Sequence, residues 1–290
     1  MNLVKLMLMS LLKKLIYKFK IFPTSLTFKG IKFTNIKGFN LLVEIFMTDS
    51  YEEEMLIFFD FFNYDHFFDI GANMGFFSFY TTKVKGWSTT AYEAHPQNIE
   101  YIKKIMKLNN IYFEIKENAI SNKYGKSKFY VPTPKNSSNL SSSSSLDINE
   151  IKRTYKNVSY ETLEVSTIPF SNLLKETNPK KKYLVKIDIE GSEYKVISST
   201  KLLKTSKNID LIVEFNINNP SNKKLFNLLK DFGYESYLMT NKGLIKEFKP
   251  LTIPKPKIKA SRTIWRNHFF TKKPERLINK INKEKIGYII

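Results

Sequence analysis

The run Phe67 to Ser78, FFDIGANMGFFS, constrains this chain more than any other stretch. Two phenylalanines lead into Asp69, and Gly71 and Gly75 follow with Asn73 between them. A second apolar stretch, Phe76 to Tyr80, begins at once. Apolar run, glycine turn and apolar run predict a buried parallel strand, a tight turn and the start of a helix. In open α/β sheets ligands bind outside the carboxyl ends of such strands. Glycine lets the backbone take positive φ or approach a ligand closely. Glu93 ends a second candidate strand, Thr89 to Glu93. An acid about 20 residues past the turn is the expected partner of a ribose diol.

The turn departs from the dinucleotide fingerprint at one informative place. G-x-G-x-x-G needs a second glycine so that the backbone can touch a pyrophosphate. Here that position is Asn73, and no third glycine follows Gly75. A nucleoside without phosphates has no such requirement. S-adenosylmethionine, with a ribose, an adenine and an amino-acid tail, is a ligand of that kind.

The rest of the chain alternates in the same way. Candidate strands are Ile111 to Glu117, Lys126 to Val131, Ser159 to Ser166, Tyr183 to Ile189, Ile209 to Phe215 and Glu235 to Leu238. Candidate helices cover Phe76 to Lys85, Pro96 to Leu108, Phe170 to Glu176, Tyr194 to Leu203 and Ser221 to Phe232. Strands alternating with helices predict a doubly wound, mostly parallel sheet. Residues 1–48 are expected to form an N-terminal helix and hairpin extension, residues 49–248 the ligand-binding domain, and residues 249–290 a basic, loosely held tail. Residues 132–145, PTPKNSSNLSSSSS, fall inside the domain and predict a mobile, substrate-facing loop.

Composition excludes several chemistries. Cysteine is absent, so disulfides, thiolate metal sites and a cysteine nucleophile are ruled out. His66, His95 and His268 stand far apart, without zinc-like spacing. The net charge of +20 sits at the two ends. Residues 1–38 hold eight lysines and no acid, and residues 249–290 hold twelve Lys or Arg and two acids. The stretch between them nets only +2. Only four of the 47 basic residues are arginine, the residue that bidentate phosphate and base recognition prefers. No specific nucleic-acid partner is therefore expected. The longest charge-free run near the start, Leu6 to Leu12, is too short for a span of about 20 apolar residues. The expectation is a cytoplasmic protein whose N-terminal segment is a helix docked on the domain, with weak peripheral contact of the basic ends to the inner face of a membrane as the alternative.

The pieces FFDIGANMGFFS, YEAHPQN, ENAIS, YLVKIDIEGSEYKVI and IDLIVEF, in this order, resemble the FkbM family of S-adenosylmethionine-dependent methyltransferases. The resemblance covers roughly residues 60–240, and Lys186 to Glu193 is its most specific element. It implies a Rossmann-like class I methyltransferase fold, seven strands with the last antiparallel, and O-methylation of a glycan or other small polyhydroxylated acceptor. It also implies roles. Asp69, Gly71, Asn73 and Gly75 would line the methionine half of the cofactor, and Glu93 would accept both ribose hydroxyls. Asn118 and Ala119 would sit beside the adenine. Asp188 and Glu190 would face the methyl group and the acceptor.

Methyl transfer to a hydroxyl is an in-line displacement that also needs a proton acceptor within hydrogen-bond reach. The candidates are Asp188, Glu190 and His95. No metal ligand set is assigned, although a divalent ion bridging Asp188 and Glu190 is conceivable. Two other functions compete: a nucleic-acid methyltransferase, and a basic membrane-peripheral binding protein that keeps only the fold.

Overall fold

A computed structural model describes residues 15–16, 18–19, 21–36, 40–48, 51–133, 144–154, 159–216, 219–248 and 265–277. Most of the expected helix over residues 1–22 and most of the serine-rich run lie outside the described residues.

The chain opens with a hairpin, β1 (Ser25–Phe28) and β2 (Ile31–Thr34), followed by α1 (Asn40–Thr48) and α2 (Glu53–Phe61). The core then begins with β3 (His66–Ile70), α3 (Phe76–Lys83), β4 (Ser88–Tyr92), α4 (Pro96–Asn109) and β5 (Glu114–Lys116). An inserted sheet follows, from β6 (Ala119–Ser121), β7 (Gly125–Thr133) and β8 (Ser159–Pro169), with α5 (Ile148–Thr154) between its long strands. The core resumes with α6 (Phe170–Lys175), β9 (Tyr183–Ile187), α7 (Glu193–Ser198), α8 (Leu202–Thr205), β10 (Ile209–Asn216) and α9 (Ser221–Asp231). It closes with β11 (Glu235–Thr240), β12 (Gly243–Glu247) and β13 (Trp265–Thr271).

The central sheet has the order β12-β11-β13-β10-β9-β3-β4-β5. The four pairings from β10 to β5 are parallel, and the three involving β11 to β13 are antiparallel. Alternation along the strands builds two cores. Phe67, Leu184, Ile212 and Phe269 face α2 and α3, while Phe68, Val185, Val213 and Phe270 face α7 and α9. Strand order reverses at β3/β9, the switch point at which open α/β sheets hold their ligands. The expected doubly wound, mostly parallel architecture is the one observed, with eight strands rather than seven.

The C-terminal expectation needs correction. Residues 265–271 are not part of a loose tail. They form a strand buried between β10 and β11 and antiparallel to both. Its sequence, WRNHFFT, sends His268 and Phe270 to one core and Phe269 to the other, all of them buried. Prolines and lysines before it conceal that two-sided pattern. Nearer the start, the expected hairpin is followed by a helix over residues 40–48. The helix expected over Tyr194 to Leu203 is two short ones, separated near Thr200. Among the described residues no helix is long and apolar enough to cross a membrane.

Candidate active site

The glycine turn after β3 is shaped first by its protein neighbours. Gly71, Asn73 and Gly75 all have positive φ, at 78°, 54° and 79°. The Gly71 and Ala72 N–H groups both donate to the Tyr92 carbonyl, at 3.0 and 3.1 Å, which ties the turn to the end of β4. A Cβ at residue 71 would lie 1.9 Å from the Asp188 carbonyl oxygen, so glycine is required where the β3 and β9 loops touch. At residue 75 it would press on Ile102 and Phe79.

Glu93 locks that turn. Its Oε2 accepts the Asn73 N–H at 2.6 Å, and its Oε1 accepts the Ala94 and His95 N–H groups at 2.9 and 2.7 Å. The Asn98 side chain adds a further bond. Burial nevertheless pushes the Glu93 carboxyl up to about 7, against the downward pull of those donors. A carboxylate offers about four lone-pair sites. Two ribose hydroxyls would therefore displace some of these bonds.

One cleft, open to solvent, joins the predicted positions. Gly71, Asn73 and Glu93 line it, as do Asn118 and Ala119 from the start of the inserted sheet. Asp188 and Glu190 form another part of its wall. Asp69, Gly75 and His95 stand behind this lining. Asp69 is buried, with Oδ2 accepting the Ser78 hydroxyl at 2.7 Å, and burial raises its pKa. His95 begins α4, its Nδ1 accepting the Gln97 N–H at 3.2 Å. Burial lowers its pKa. Its ring is thus committed to helix capping.

The cleft suits a nucleoside. Tyr92, Ile120, Phe129 and Leu146 supply apolar walls for a flat ring. Asn98 Oδ1 and Ser144 Oγ line the same space as buried polar atoms without a protein partner. Buried polar groups in native proteins are normally satisfied, so these two are suited to a polar ligand. Residues Ser144 to Leu146 bridge the cleft. The Ser145 hydroxyl donates to the Glu190 carbonyl at 2.7 Å, and its backbone pairs with Tyr130.

The opposite wall is acidic around one lysine. Lys186, 3% exposed, points from β9 to Asp188, with Nζ 2.7 Å from Oδ2. Burial alone would lower its pKa, but Asp188, Asp69 and Glu52 outweigh that and hold it up. The Asp188 N–H donates to the Ile70 carbonyl, fixing the loop to β3. Glu190 has a φ of 52° in the turn that follows. Glu193, buried behind that turn, accepts the Ile189 and Gly191 N–H groups at 3.2 and 3.1 Å. Burial pushes its carboxyl up to about 7. Glu214, at the end of β10, brings a carboxylate oxygen within 4.8 Å of ones on Asp188 and Glu190. Burial first, and then Asp188, Glu52 and Glu190, push its pKa well up.

Sequence reasoning assigned no site role to Lys186, Glu214 or Asn98, and it reached Ser144 only as part of the substrate-facing run 132–145. The first two carried a signal: a lysine within an apolar strand, and an acid at a strand end.

A sequence profile described as the methyltransferase FkbM domain matches residues 69–236, more than half of the chain. No curated protein matches it in sequence. Among solved structures, the chain is similar to a precorrin-6y C5,15-methyltransferase from Geobacter metallireducens GS-15, at 12% identity and TM-score 0.41 over 75% of this chain and 87% of that one. It is also similar to a TehB-like SAM-dependent methyltransferase from Corynebacterium glutamicum ATCC 13032 Kitasato, at 11% identity and TM-score 0.36 over 77% and 88%. The N-terminal domain of human METTL16 in complex with SAH is similar at 12% identity and TM-score 0.36, over 76% and 67%.

Proposed function

Because this chain belongs to the FkbM methyltransferase domain family and is an S-adenosylmethionine-dependent methyltransferase, we propose that it methylates a hydroxyl oxygen of a glycan or other small polyhydroxylated acceptor. The observation that carries this reading is the pair of carboxylates Asp188 and Glu190 in the wall of the cleft, with a Glu214 carboxylate oxygen within 4.8 Å of ones on both.

When bound, S-adenosylmethionine supplies an electrophilic methyl group on a sulfonium. Glu93 and Asn98 would hold the ribose, and the apolar slot between Ile120 and Phe129 would hold the adenine. Gly71 and Asn73 would shape the methionine half. The acceptor hydroxyl must lose its proton as its oxygen forms the new bond, and an acceptor carboxylate within reach serves that need. Asp188 is held by Lys186, and the His95 ring caps α4. We assign proton acceptance to Glu190 on its place in the cleft wall, with Glu214 within 4.8 Å of it. Like charges this close favour one shared proton, which keeps a basic carboxylate available near neutral pH. The same concentration of acids repels a polyanion, which disfavours RNA as acceptor.

The test is transfer of labelled methyl from S-adenosylmethionine to a panel of mono- and oligosaccharides, with an RNA pool alongside. The expected result is label on a sugar hydroxyl, at least about 100-fold slower in Glu190→Gln. The variant should bind S-adenosylhomocysteine as the parent does. Label confined to RNA would overturn the reading.

A further inference from the structure

We propose that the lysine-rich N-terminal segment docks this protein on an anionic lipid bilayer. Leu15, Phe19 and Ile21 are 44%, 62% and 69% exposed. Leu15 and Phe19 are helical and four residues apart, so they share one face. The chain is anchored immediately after them. Phe22 packs edge-on against Phe46, with ring centroids 6.0 Å apart, and the β1–β2 hairpin follows. Phe22 and Pro23 then line an open groove with Lys32, Lys104 and Leu108. Lys18, Lys32 and Lys104 are exposed, and Leu108 is exposed as well.

Three large apolar side chains exposed within seven residues are a feature of interaction sites. The charge pattern selects the partner. Residues 1–38 carry eight lysines and no acid. Apolar side chains that enter the headgroup boundary, beside lysines that meet anionic lipid, are what an interfacial segment needs. A nucleic acid would use the lysines and leave the apolar trio unused. A protein partner would use the trio without requiring an acid-free segment. The seven-residue run Leu6 to Leu12 cannot span a bilayer, so the contact is peripheral.

The experiment is co-sedimentation of the full chain with phosphatidylcholine vesicles, with and without phosphatidylglycerol. The parent should sediment with the anionic vesicles, less so at high salt, and remain in solution with neutral ones. The combined Leu15→Ser, Phe19→Ser and Ile21→Ser variant should partition at least about tenfold more weakly. Lys18→Glu with Lys32→Glu should do the same. Unchanged binding of S-adenosylhomocysteine would show that both variants are folded. Sedimentation independent of phosphatidylglycerol, or equal for parent and variants, would overturn the proposal. So would a dimer, seen by light scattering, that the apolar variant abolishes in a protein that ignores vesicles.

Discussion

A methyl group at residue 71 would collide with the Asp188 carbonyl at 1.9 Å, on a backbone at φ 78°. Neither partner can move cheaply, since both belong to loops fixed by backbone hydrogen bonds. Gly71→Ala should therefore cost about 3 kcal/mol or more, from steric overlap and left-handed strain together, as read by urea unfolding. Glu93 gives a second residue-level expectation. Its carboxyl sits at about 7, and the ionised form is the one that accepts hydroxyl donors. Binding of S-adenosylhomocysteine should tighten as pH rises from about 6 to 8, with release of a proton. Calorimetry in buffers of different ionisation enthalpy measures both. Glu93→Gln should flatten the pH profile.

At the scale of elements, β9 joins fold to chemistry. Its apolar residues fill both cores, while Lys186 threads the sheet face to reach Asp188. Lys186→Met would leave Asp69, Asp188 and Glu52 without their shared ammonium. The expected loss is about 3–5 kcal/mol, the usual result of breaking a buried pair from one side, seen as a lowered urea midpoint. The β9 run and the Asp69–Gly75 turn were legible because apolar runs and glycines report local backbone directly. The purpose of Gly71 was not legible. It depends on Asp188, a residue more than a hundred positions away that only the sheet brings near. Glu214 was visible as an acid near a strand end, but its part in the acidic cluster was not, since its neighbours come from the β9 loop. His95 looked like a base by type, and the local geometry of Pro96 and Gln97 makes it a cap. Strand β13 was concealed because its alternation, Asn267 and Phe269 against His268 and Phe270, is short and set in lysine- and proline-rich sequence.

For the whole molecule, two buried carboxyls set a pH dependence. Glu93 and Glu193 rise from 4.5 to about 7 on folding. Below about 4.5 both folded and unfolded chains hold these protons. Between about 4.5 and 7 only the folded chain does, so their stabilising contribution falls as pH rises through that window. Each contributes at most about 3 kcal/mol. The Glu93→Gln, Glu193→Gln double variant should lose less stability than the parent between pH 5 and 8, by thermal unfolding at each pH. The sheet also depends on its last strand. A chain ended at residue 264 would strip β13 from between β10 and β11 and expose Phe269's and Phe270's packing partners. It should show no cooperative unfolding, and a truncated chain that unfolds cooperatively would contradict the role given to β13. The central claim is that the cleft beside Glu93 is the cofactor site. Calorimetric titration of the full chain with S-adenosylmethionine and S-adenosylhomocysteine, with Glu93→Ala alongside, tests it most directly. The account predicts binding to the parent that weakens at least about tenfold, or 1.4 kcal/mol, in the variant. Equal affinity for parent and variant would place the cofactor elsewhere and contradict the account.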